Sequence, residues 1–288
     1  MIMHLSPSRA VCSREFVLLA PVSCPDTPAF TRVECDATGY ERLLGEAQRL
    51  RGGIYLQDGA IEAWQLTADG RHVQAADDRS WHLLSVNQHG LVAGCARYTM
   101  HDNDVAFPAL GVYHTALAKS KTWGTMLRRA VEDQVARARS RGISYAELGG
   151  WAISEGLRHT TEAVRMMVTV YGLSELLGGA LGISTATTRH GSSSMLRRIG
   201  GRPLVADGVA LPAYYDPHYK CEMEVLHFDS SDPSPRYWNW IGECLASLRS
   251  VRVIRALELE TAPRVLPLGS YRHPIYNETP DTERARVA

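Results

Sequence analysis

The stretch that decides the fold reads Tyr145-Ala-Glu-Leu-Gly-Gly-Trp-Ala-Ile153, followed by the polar turn Ser154-Glu-Gly-Leu-Arg-His-Thr160 and a helical pattern. The apolar run predicts a buried strand over 143–153, in spite of its two glycines. Apolar residues at helical spacing then predict a helix over 161–177, which Gly178-Gly179 ends. The start of such a helix offers unpaired N–H groups and the positive end of the helix dipole, and together these can hold a phosphate.

Further elements follow on both sides of this stretch. Residues 180–188 are rich in β-branched side chains and predict a second strand, and 192–199 predict a short helix that Gly200-Gly201 closes. The other predicted elements are a helix over 40–50, a hairpin of strands over 81–86 and 91–98, a helix over 123–140, a strand over 221–228 and a helix over 235–248. The hairpin ahead of alternating strands and helices favours the α/β (α+β) class, with a mixed sheet flanked by helices.

The two ends of the chain lack a clear period. Residues 1–35 contain several prolines and serines, and we expect them to form an extended lead-in. Residues 36–250 would then form one domain, and 251–288, with four prolines from Pro263 onward, would form a tail.

Composition excludes several classes of protein. The 288 residues include 31 basic and 31 acidic side chains, a balance that argues against a nucleic-acid-binding protein. The most apolar stretch, 168–183, is interrupted by Glu175 and glycines, so we expect no membrane span. Six scattered cysteines without a CxxC pair argue against a zinc site or a disulfide framework. We therefore expect a cytoplasmic protein with reduced thiols, no metal and no tightly bound cofactor.

The turn and helix after 153 resemble the GNAT acyltransferase superfamily, whose phosphate-binding loop corresponds here to Arg158, Thr161 and Ala163. Thr161 replaces the usual glycine, and Leu196 stands where that family commonly has a tyrosine that protonates the leaving thiolate. The elements Arg49-Leu-Arg-Gly-Gly-Ile-Tyr55 and Glu147-Leu-Gly-Gly-Trp-Ala-Ile153 resemble acyl-homoserine-lactone synthases and N-acyl amino acid synthases. The resemblance implies a splayed central sheet and transfer of a medium or long acyl group from acyl-CoA or acyl carrier protein to an amine.

Candidate residues follow from these patterns. A carboxylate within an apolar strand is costly without a role, so Glu147 is the candidate base, with a structural salt bridge as the alternative. His190 is a candidate acid or base, and Tyr215, with Tyr214 beside it, is a candidate for the missing tyrosine. The candidate donor-binding residues are Trp151, Ile153, Arg158, His159, Thr160 and Thr161, and the candidate acceptor-binding residues are Ser184, Thr185 and Thr187.

Several of these residues can also be explained by purely structural roles. Thr160 is explained equally well as a helix cap, and Trp151 as part of the core. A basic stretch that can dock an acidic carrier protein, or can be a solvated helix face, contains Lys119, Lys121, Arg128, Arg129, Arg137, Arg139 and Arg141. Three functions stay open: an N-acyltransferase with a longer acyl donor, an acetyl-CoA enzyme, and a non-catalytic protein that binds acyl ligands.

Overall fold

The computed structural model describes residues 14–24 and 29–256, which form one mixed sheet with helices on both faces. The strands are β1 Glu15–Leu19, β2 Arg32–Cys35, β3 Trp81–Val86, β4 Val92–His101, β5 Ser144–Ile153, β6 Ala180–Thr187, β7 Arg202–Pro203, β8 Val205–Ala206, β9 Val209–Ala210, β10 Tyr214–Asp216, β11 Cys221–Asp229 and β12 Arg252–Arg255. The α-helices are α1 Ala37–Gln57, α2 Gly124–Arg141, α3 Glu162–Leu176, α4 Ser192–Ile199 and α5 Trp238–Leu248.

The strands of the large sheet lie in the order β10-β11-β6-β5-β4-β3-β1-β12-β2, and β7 pairs with the free part of β11. β5 and β6 are parallel, as are β1 with β12 and β12 with β2. Each of the other pairs in this sheet is antiparallel. The sheet is therefore mixed, as the sequence predicts.

Alternating side chains divide the core between the two faces of the sheet. Leu43 and Ala47 of α1 pack on Leu84 and Cys95, while α2 packs on Tyr145 and its neighbours. The opposite face is covered by α3, α4 and α5, which pack on Leu83, Ala96 and the other residues that alternate with the first set. We call these two sides the α1–α2 face and the α3 face.

Local signals explain where the helices begin and end. The side chain of Asp36 accepts a hydrogen bond from the Gly39 N–H at 2.9 Å and caps α1. Gly142 ends α2 in the left-handed region, at φ 65°, and its N–H bonds the last carbonyls of the helix. No helix of the described residues is long and apolar enough to cross a bilayer.

The sheet opens between its two central parallel strands. β5 pairs with β6 from Ser144–Ala180 to Glu147–Ile183, and the ladder then stops although both strands continue. Beyond that point β5 pairs with β4 alone, through a bulge at which Gly150 (φ 60°) and Trp151 together face Ala96. We call the gap between 148–153 of β5 and 184–187 of β6 the split. The splayed sheet that the sequence resemblance implies is therefore present, with a bulge at the second glycine of the pair.

The predicted helices and strands within 36–250 are confirmed, with α1 extending seven residues beyond the predicted end, from 50 to 57. The expected lead-in is wrong in part, because it supplies β1 and β2 to the sheet. The expected tail likewise supplies β12. These strands are four or five residues long, and β1 is buried on both faces, so neither length nor alternation marked them. Residues 1–13, 25–28 and 257–288, with Cys12 and the tail prolines, lie outside the described residues.

Candidate active site

Glu147 stands at the apex of the split, since it belongs to the last residue pair that joins β5 to β6. Its Oε1 accepts hydrogen bonds from the N–H groups of Gly111 at 2.7 Å and Val112 at 3.3 Å. Its Oε2 lies 3.0 Å from His101 Nε2, and the carboxylate is 19% exposed on the α1–α2 face. Three donors thus hold this carboxylate in a fixed orientation, and the contact with His101 is of the kind that the structural alternative predicts. The role of Glu147 as a base stays a prediction.

An apolar cavity lies on the α3 face beside the apex. Its volume is about 40 Å³, and Ala146, Leu148, Gly182 and Ile183 line it where β5 and β6 separate. The helix side of the wall is formed by Met167, Val170, Tyr171, Ser174 and Leu196. At the wall, the Tyr98 hydroxyl bonds the Ser174 hydroxyl at 2.9 Å, so these polar groups satisfy each other. The position at which the sequence lacks a tyrosine, Leu196, is therefore part of an apolar wall.

Buried charges lie on the opposite side of the split. Arg51 Nη2 is 2.8 Å from Asp77 Oδ2, and Arg97 Nη1 is 2.9 Å from Asp77 Oδ1. The side chains of Arg51, Asp77 and Arg97 are 2%, 1% and 15% exposed. A Cβ added to Gly150 would lie 3.1 Å from Arg51 Nη1, so this charged group packs directly under the bulge. We call Arg51, Asp77 and Arg97 the charged triad.

The charged triad carries a net positive charge. Burial by itself would raise the pKa of the Asp77 carboxyl. The neighbouring Arg51 and Arg97 lower this pKa by a larger amount, so the net pKa lies well below the ordinary range. Burial, with Arg51 nearby, lowers the pKa of His72 to about 4, and burial lowers that of His82 to about 4. Both imidazoles are therefore neutral near pH 7. Two guanidinium groups face one carboxylate, which leaves an excess charge that suits an anionic ligand.

The loop after β5 leads through one tight turn into the start of α3. It makes one turn of 3₁₀ helix at Glu155–Leu157, and His159 then adopts φ 64°. The Thr160 hydroxyl donates to the Leu157 carbonyl oxygen at 2.7 Å and accepts from the Glu162 N–H at 3.2 Å, so it satisfies the first N–H of α3 from one residue ahead of the N-cap, Thr161. The next two N–H groups of α3, those of Ala163 and Val164, have no hydrogen-bond acceptor among the described residues.

Loops from both sides of the split meet at the end of α1. Arg158 Nη2, from the loop after β5, is 3.7 Å from Asp58 Oδ1. His190 Nε2, from the loop after β6, is 3.5 Å from the same oxygen. The sequence therefore named two residues that the fold does bring together, and it missed the carboxylate between them.

The other predicted residues fall into three groups. Thr185 and Thr187 share the face of Ile183 and hence of Glu147, whereas Ser184 is buried on the α3 face. Trp151 and Ile153 also lie on the α3 face, and the Trp151 indole N–H is buried with no partner among the described residues. His159, Thr160 and Thr161 are exposed in the loop. Tyr215 is 60% exposed on edge strand β10, which β11 separates from β6, so the fold does not bring it to the split.

Most arginines of the predicted basic stretch have local acidic partners. Arg128 pairs with Glu132 at 2.8 Å and Arg141 with Asp229 at 2.6 Å, and Arg129 pairs with Asp207. The stretch is thus better described as a helix face with internal ion pairs than as a uniformly basic surface.

The charged triad was not among the predicted site residues. A signal existed, because Arg51 follows Leu43 and Ala47 at intervals of four and must therefore lie on the buried side of α1. Asp77 carries no such signal, since it lies in an irregular segment between Leu66 and Trp81. Asp58 likewise looks like an ordinary residue after a helix end.

No protein-family model and no curated protein matches the sequence. Among solved structures, the CoA-dependent acyl-homoserine lactone synthase BjaI with SAM and isopentyl-CoA aligns with a TM-score of 0.50 at 14% identity, covering 86% of this chain and 96% of that one. Two more distant matches are the acyl-homoserine lactone synthase LasI (TM-score 0.43, 14% identity, 66% and 84% covered) and FeeM, an N-acyl amino acid synthase from uncultured soil microbes (TM-score 0.43, 11% identity, 76% and 93% covered). The chain therefore has the GNAT-type acyltransferase fold found in acyl-homoserine lactone synthases.

Proposed function

We propose that this chain is an N-acyltransferase that moves an acyl group from a thioester of coenzyme A or acyl carrier protein to the amine of an amino acid, a small amine or a peptide. The observation that carries the proposal is the split itself. β5 and β6 separate directly after Glu147, with an apolar cavity on one side and buried charge on the other. An acyl chain and a polar acceptor can therefore reach one point from opposite faces of the sheet.

The donor arm fits the unpaired edge of β5. Residues 148–153 pair with β4 on one edge, and no strand of the described residues pairs with their other edge. An extended pantetheine arm has amide groups that can bond such an edge in the manner of an added strand. Its phosphate would then meet Arg158 and the free N–H groups at the start of α3. Trp151, Ile153, His159 and Thr161 border this path, while Thr160 shapes the turn.

The acyl group would enter the cavity on the α3 face. At about 40 Å³ the cavity is far smaller than the roughly 150 Å³ that holds benzene in an engineered protein core. A short acyl group fits the walls as they stand, and the medium or long chain implied by the sequence resemblance would require Met167 and Leu196 to change rotamers. A series of donors with increasing acyl length decides between these two cases.

Transfer of an acyl group from a thioester to an amine needs few catalytic groups from the protein. The amine nitrogen attacks the thioester carbon, the new C–N bond forms, and the C–S bond breaks as the thiolate leaves. Glu147, directly or through one water, would take the proton that the amine loses. A backbone N–H on the β5 edge would polarise the carbonyl oxygen. His190 lies beside Arg158 at Asp58, and Tyr215 lies on an edge strand, so neither position supports a role in protonating the thiolate.

The acceptor would bind on the α1–α2 face, between Glu147 and the charged triad. The excess positive charge of Arg51 and Arg97 favours an acceptor that carries a carboxylate, such as an amino acid. Thr185 and Thr187 offer hydroxyl groups on the same face, although the Thr187 hydroxyl already bonds the Arg189 carbonyl oxygen at 3.1 Å. Donor thioesters and free amino acids are both cytoplasmic metabolites, and we therefore propose that compartment.

The experiment is a matrix of acyl-CoA, acyl carrier protein and acyl-pantetheine donors against amino acids and simple amines, read by mass spectrometry. We expect acyl transfer to at least one amino acid, and a fall of about 10²-fold or more in the Glu147→Gln variant. Glu132→Gln, which breaks an exposed ion pair on α2, is the matched control and should leave the rate unchanged.

Two other outcomes identify the alternatives. Turnover with acetyl-CoA alone, and none with longer donors, would identify an acetyltransferase, which the small cavity favours. Donor binding without transfer to any amine would identify an acyl-binding protein, which the leucine at the usual tyrosine position favours. Failure to bind any donor would contradict the proposal altogether.

A further inference from the structure

The segment that leaves α1 crosses the open end of the split. Residues 58–62, here called the strap, run from the C-cap of α1 to the turn at Ala63–Gln65. One end of the strap meets Arg158 and His190 through Asp58, and the other end meets Lys220 through Glu62 at 2.8 Å. The strap thus contacts the loops after β5 and β6 and the β10–β11 turn.

Cations outnumber carboxylates at the Asp58 end of the strap. Arg189 donates from Nη1 to the Asp58 carbonyl oxygen and from Nη2 to the Lys220 carbonyl oxygen at 2.8 Å. In the described residues no carboxylate lies within ion-pair distance of Arg189, so its charge adds to that of Arg158. Arg158 and His190 contact the Asp58 carboxylate and Arg189 contacts the backbone carbonyl oxygen of the same residue, so two guanidinium charges face one carboxylate, and this excess attracts a further anion.

The contacts of the Asp58 carboxylate are long. Its oxygen lies 3.7 Å from Arg158 and 3.5 Å from His190, beyond the usual length of a charge-assisted hydrogen bond. Arg158 is 32% exposed and His190 56%, so water screens both pairs. A phosphate presents more acceptor oxygens and a geometry that an arginine can bind with two parallel bonds. A phosphate would therefore replace this carboxylate at little cost.

The strap backbone does not have to move for this exchange. Ala60 and Ile61 are 8% and 4% exposed, and the N–H groups of both bond the Tyr55 carbonyl oxygen. The Asp58 side chain is 22% exposed, and the neighbouring position is not tightly packed, since a Cβ on Gly59 would meet no atom within 4 Å. A change of side-chain rotamer at Asp58 would free Arg158 and His190 without moving the backbone.

We propose that Arg158, Arg189 and His190 form the site for the donor's phosphate groups, and that the Asp58 carboxylate is a built-in competitor that holds Arg158 and His190 until the phosphates displace it. This inference rests on the proposed function, since it identifies the donor as a phosphate-bearing thioester. Arg189 contributes charge from a fixed position, whereas Arg158 and His190 exchange one anion for another.

The test measures binding of coenzyme A and of pantetheine, which lacks phosphate, by calorimetry on the full chain. Asp58→Asn keeps the shape of the side chain and removes its charge, and we expect it to tighten coenzyme A binding about three- to tenfold. Arg189→Gln should weaken coenzyme A binding about tenfold. Neither variant should change the affinity for pantetheine, and the control Glu62→Gln, at the far end of the strap, should bind coenzyme A like the original chain.

Weaker coenzyme A binding by Asp58→Asn, with an unchanged melting temperature, would show that the carboxylate positions the cations instead of competing, and would overturn the inference. An unchanged affinity in both variants would overturn it as well. In either case, transfer from acyl-pantetheine to an amine would leave the proposed function intact. Absence of transfer from every donor would refute the proposed function, while the coenzyme A measurements would still decide the role of Asp58.

Discussion

The two sides of the split differ in almost every physical property. On the α3 face the cavity is lined by aliphatic and aromatic side chains, and its polar groups at Tyr98 and Ser174 bond each other. On the α1–α2 face the charged triad is buried with one guanidinium in excess. A single layer of sheet thus separates an environment for hydrocarbon from an environment for ions. Under the proposed function, the apolar acyl group and the polar acceptor would therefore bind on opposite faces of the sheet before they react.

Removing the carboxylate of the charged triad should have the largest effect on stability. Asp77→Ala leaves two buried guanidinium groups without a carboxylate, and we expect a loss of about 3–5 kcal/mol in the free energy of unfolding. Urea unfolding followed by circular dichroism measures it. Asp69→Asn is the matched control, because Asp69 pairs with Arg49 and Arg71 but is 51% exposed, and it should leave the stability nearly unchanged. Equal effects of the two variants would contradict the buried charge.

Enlarging the cavity should come next. Met167 is 1% exposed and lines the cavity, so Met167→Ala should cost about 2–5 kcal/mol and should shift donor preference toward longer acyl chains. Met223, 3% exposed, is buried in the core under α2, and Met223→Ala should cost a similar amount without changing that preference. The measurement compares relative rates with donors of four and eight carbons. The same shift in both variants would show that loosening the core, and not the cavity, alters the preference.

Lowering the pH should destabilise the folded chain through two buried histidines near the charged triad. The pKa of His72 and of His82 is about 4 in the folded chain, below the unfolded value of roughly 6.5, so the unfolded chain binds more protons under pH 6.5. Stability should therefore fall as pH drops from 7.5 to 5, by about 2 kcal/mol for each histidine. Asp77 stays ionised throughout this range, because its pKa is lowered.

Urea unfolding at several pH values checks this prediction. His82→Asn should flatten the pH dependence by about half, whereas His89→Gln, in the exposed β3–β4 turn, should leave it unchanged. A pH-independent stability between 5 and 7.5 would mean that the two imidazoles are not buried in neutral form.

The smallest effect is expected at the bulge between the two sides. Gly150 has φ 60°, and an added Cβ would lie 3.1 Å from Arg51, so Gly150→Ala should cost about 1–2 kcal/mol. Gly156→Ala is the control, since its Cβ would meet no atom within 4 Å. Thermal unfolding separates the two variants. A neutral Gly150→Ala would show that the bulge adapts without strain.

The sequence alone predicts those helices and strands in which apolar residues recur at a regular spacing. The periodicity of apolar residues and the glycines at turns predict long helices such as α2 and α3 and the β3–β4 hairpin. β1, β2 and β12 do not, because each is too short to show a period and pairs with strands far away in the chain. Their place in the sheet is decided by tertiary packing.

The site divides in a similar way. Glu147 was named as a carboxylate within an apolar strand and Arg158 from its place before a helix start, and the fold brings Arg158 and His190 to one carboxylate. Tyr215 was misplaced, because strand order within a sheet is not written in the sequence and an edge strand looks like a central one. The charged triad joins α1, an irregular segment and β4, and a contact across such distances has no local pattern.

The ladder of four residue pairs between β5 and β6 has a mechanical consequence. It joins two parts of the sheet, one formed by β1 to β5 with β12 and the other by β6, β7, β10 and β11. Few backbone bonds connect the two parts along so short a ladder, whereas one apolar cluster on the α3 face contains side chains from both, such as Ala96 and Ala186. Side-chain packing, more than backbone hydrogen bonding, therefore holds the two parts together beside the split.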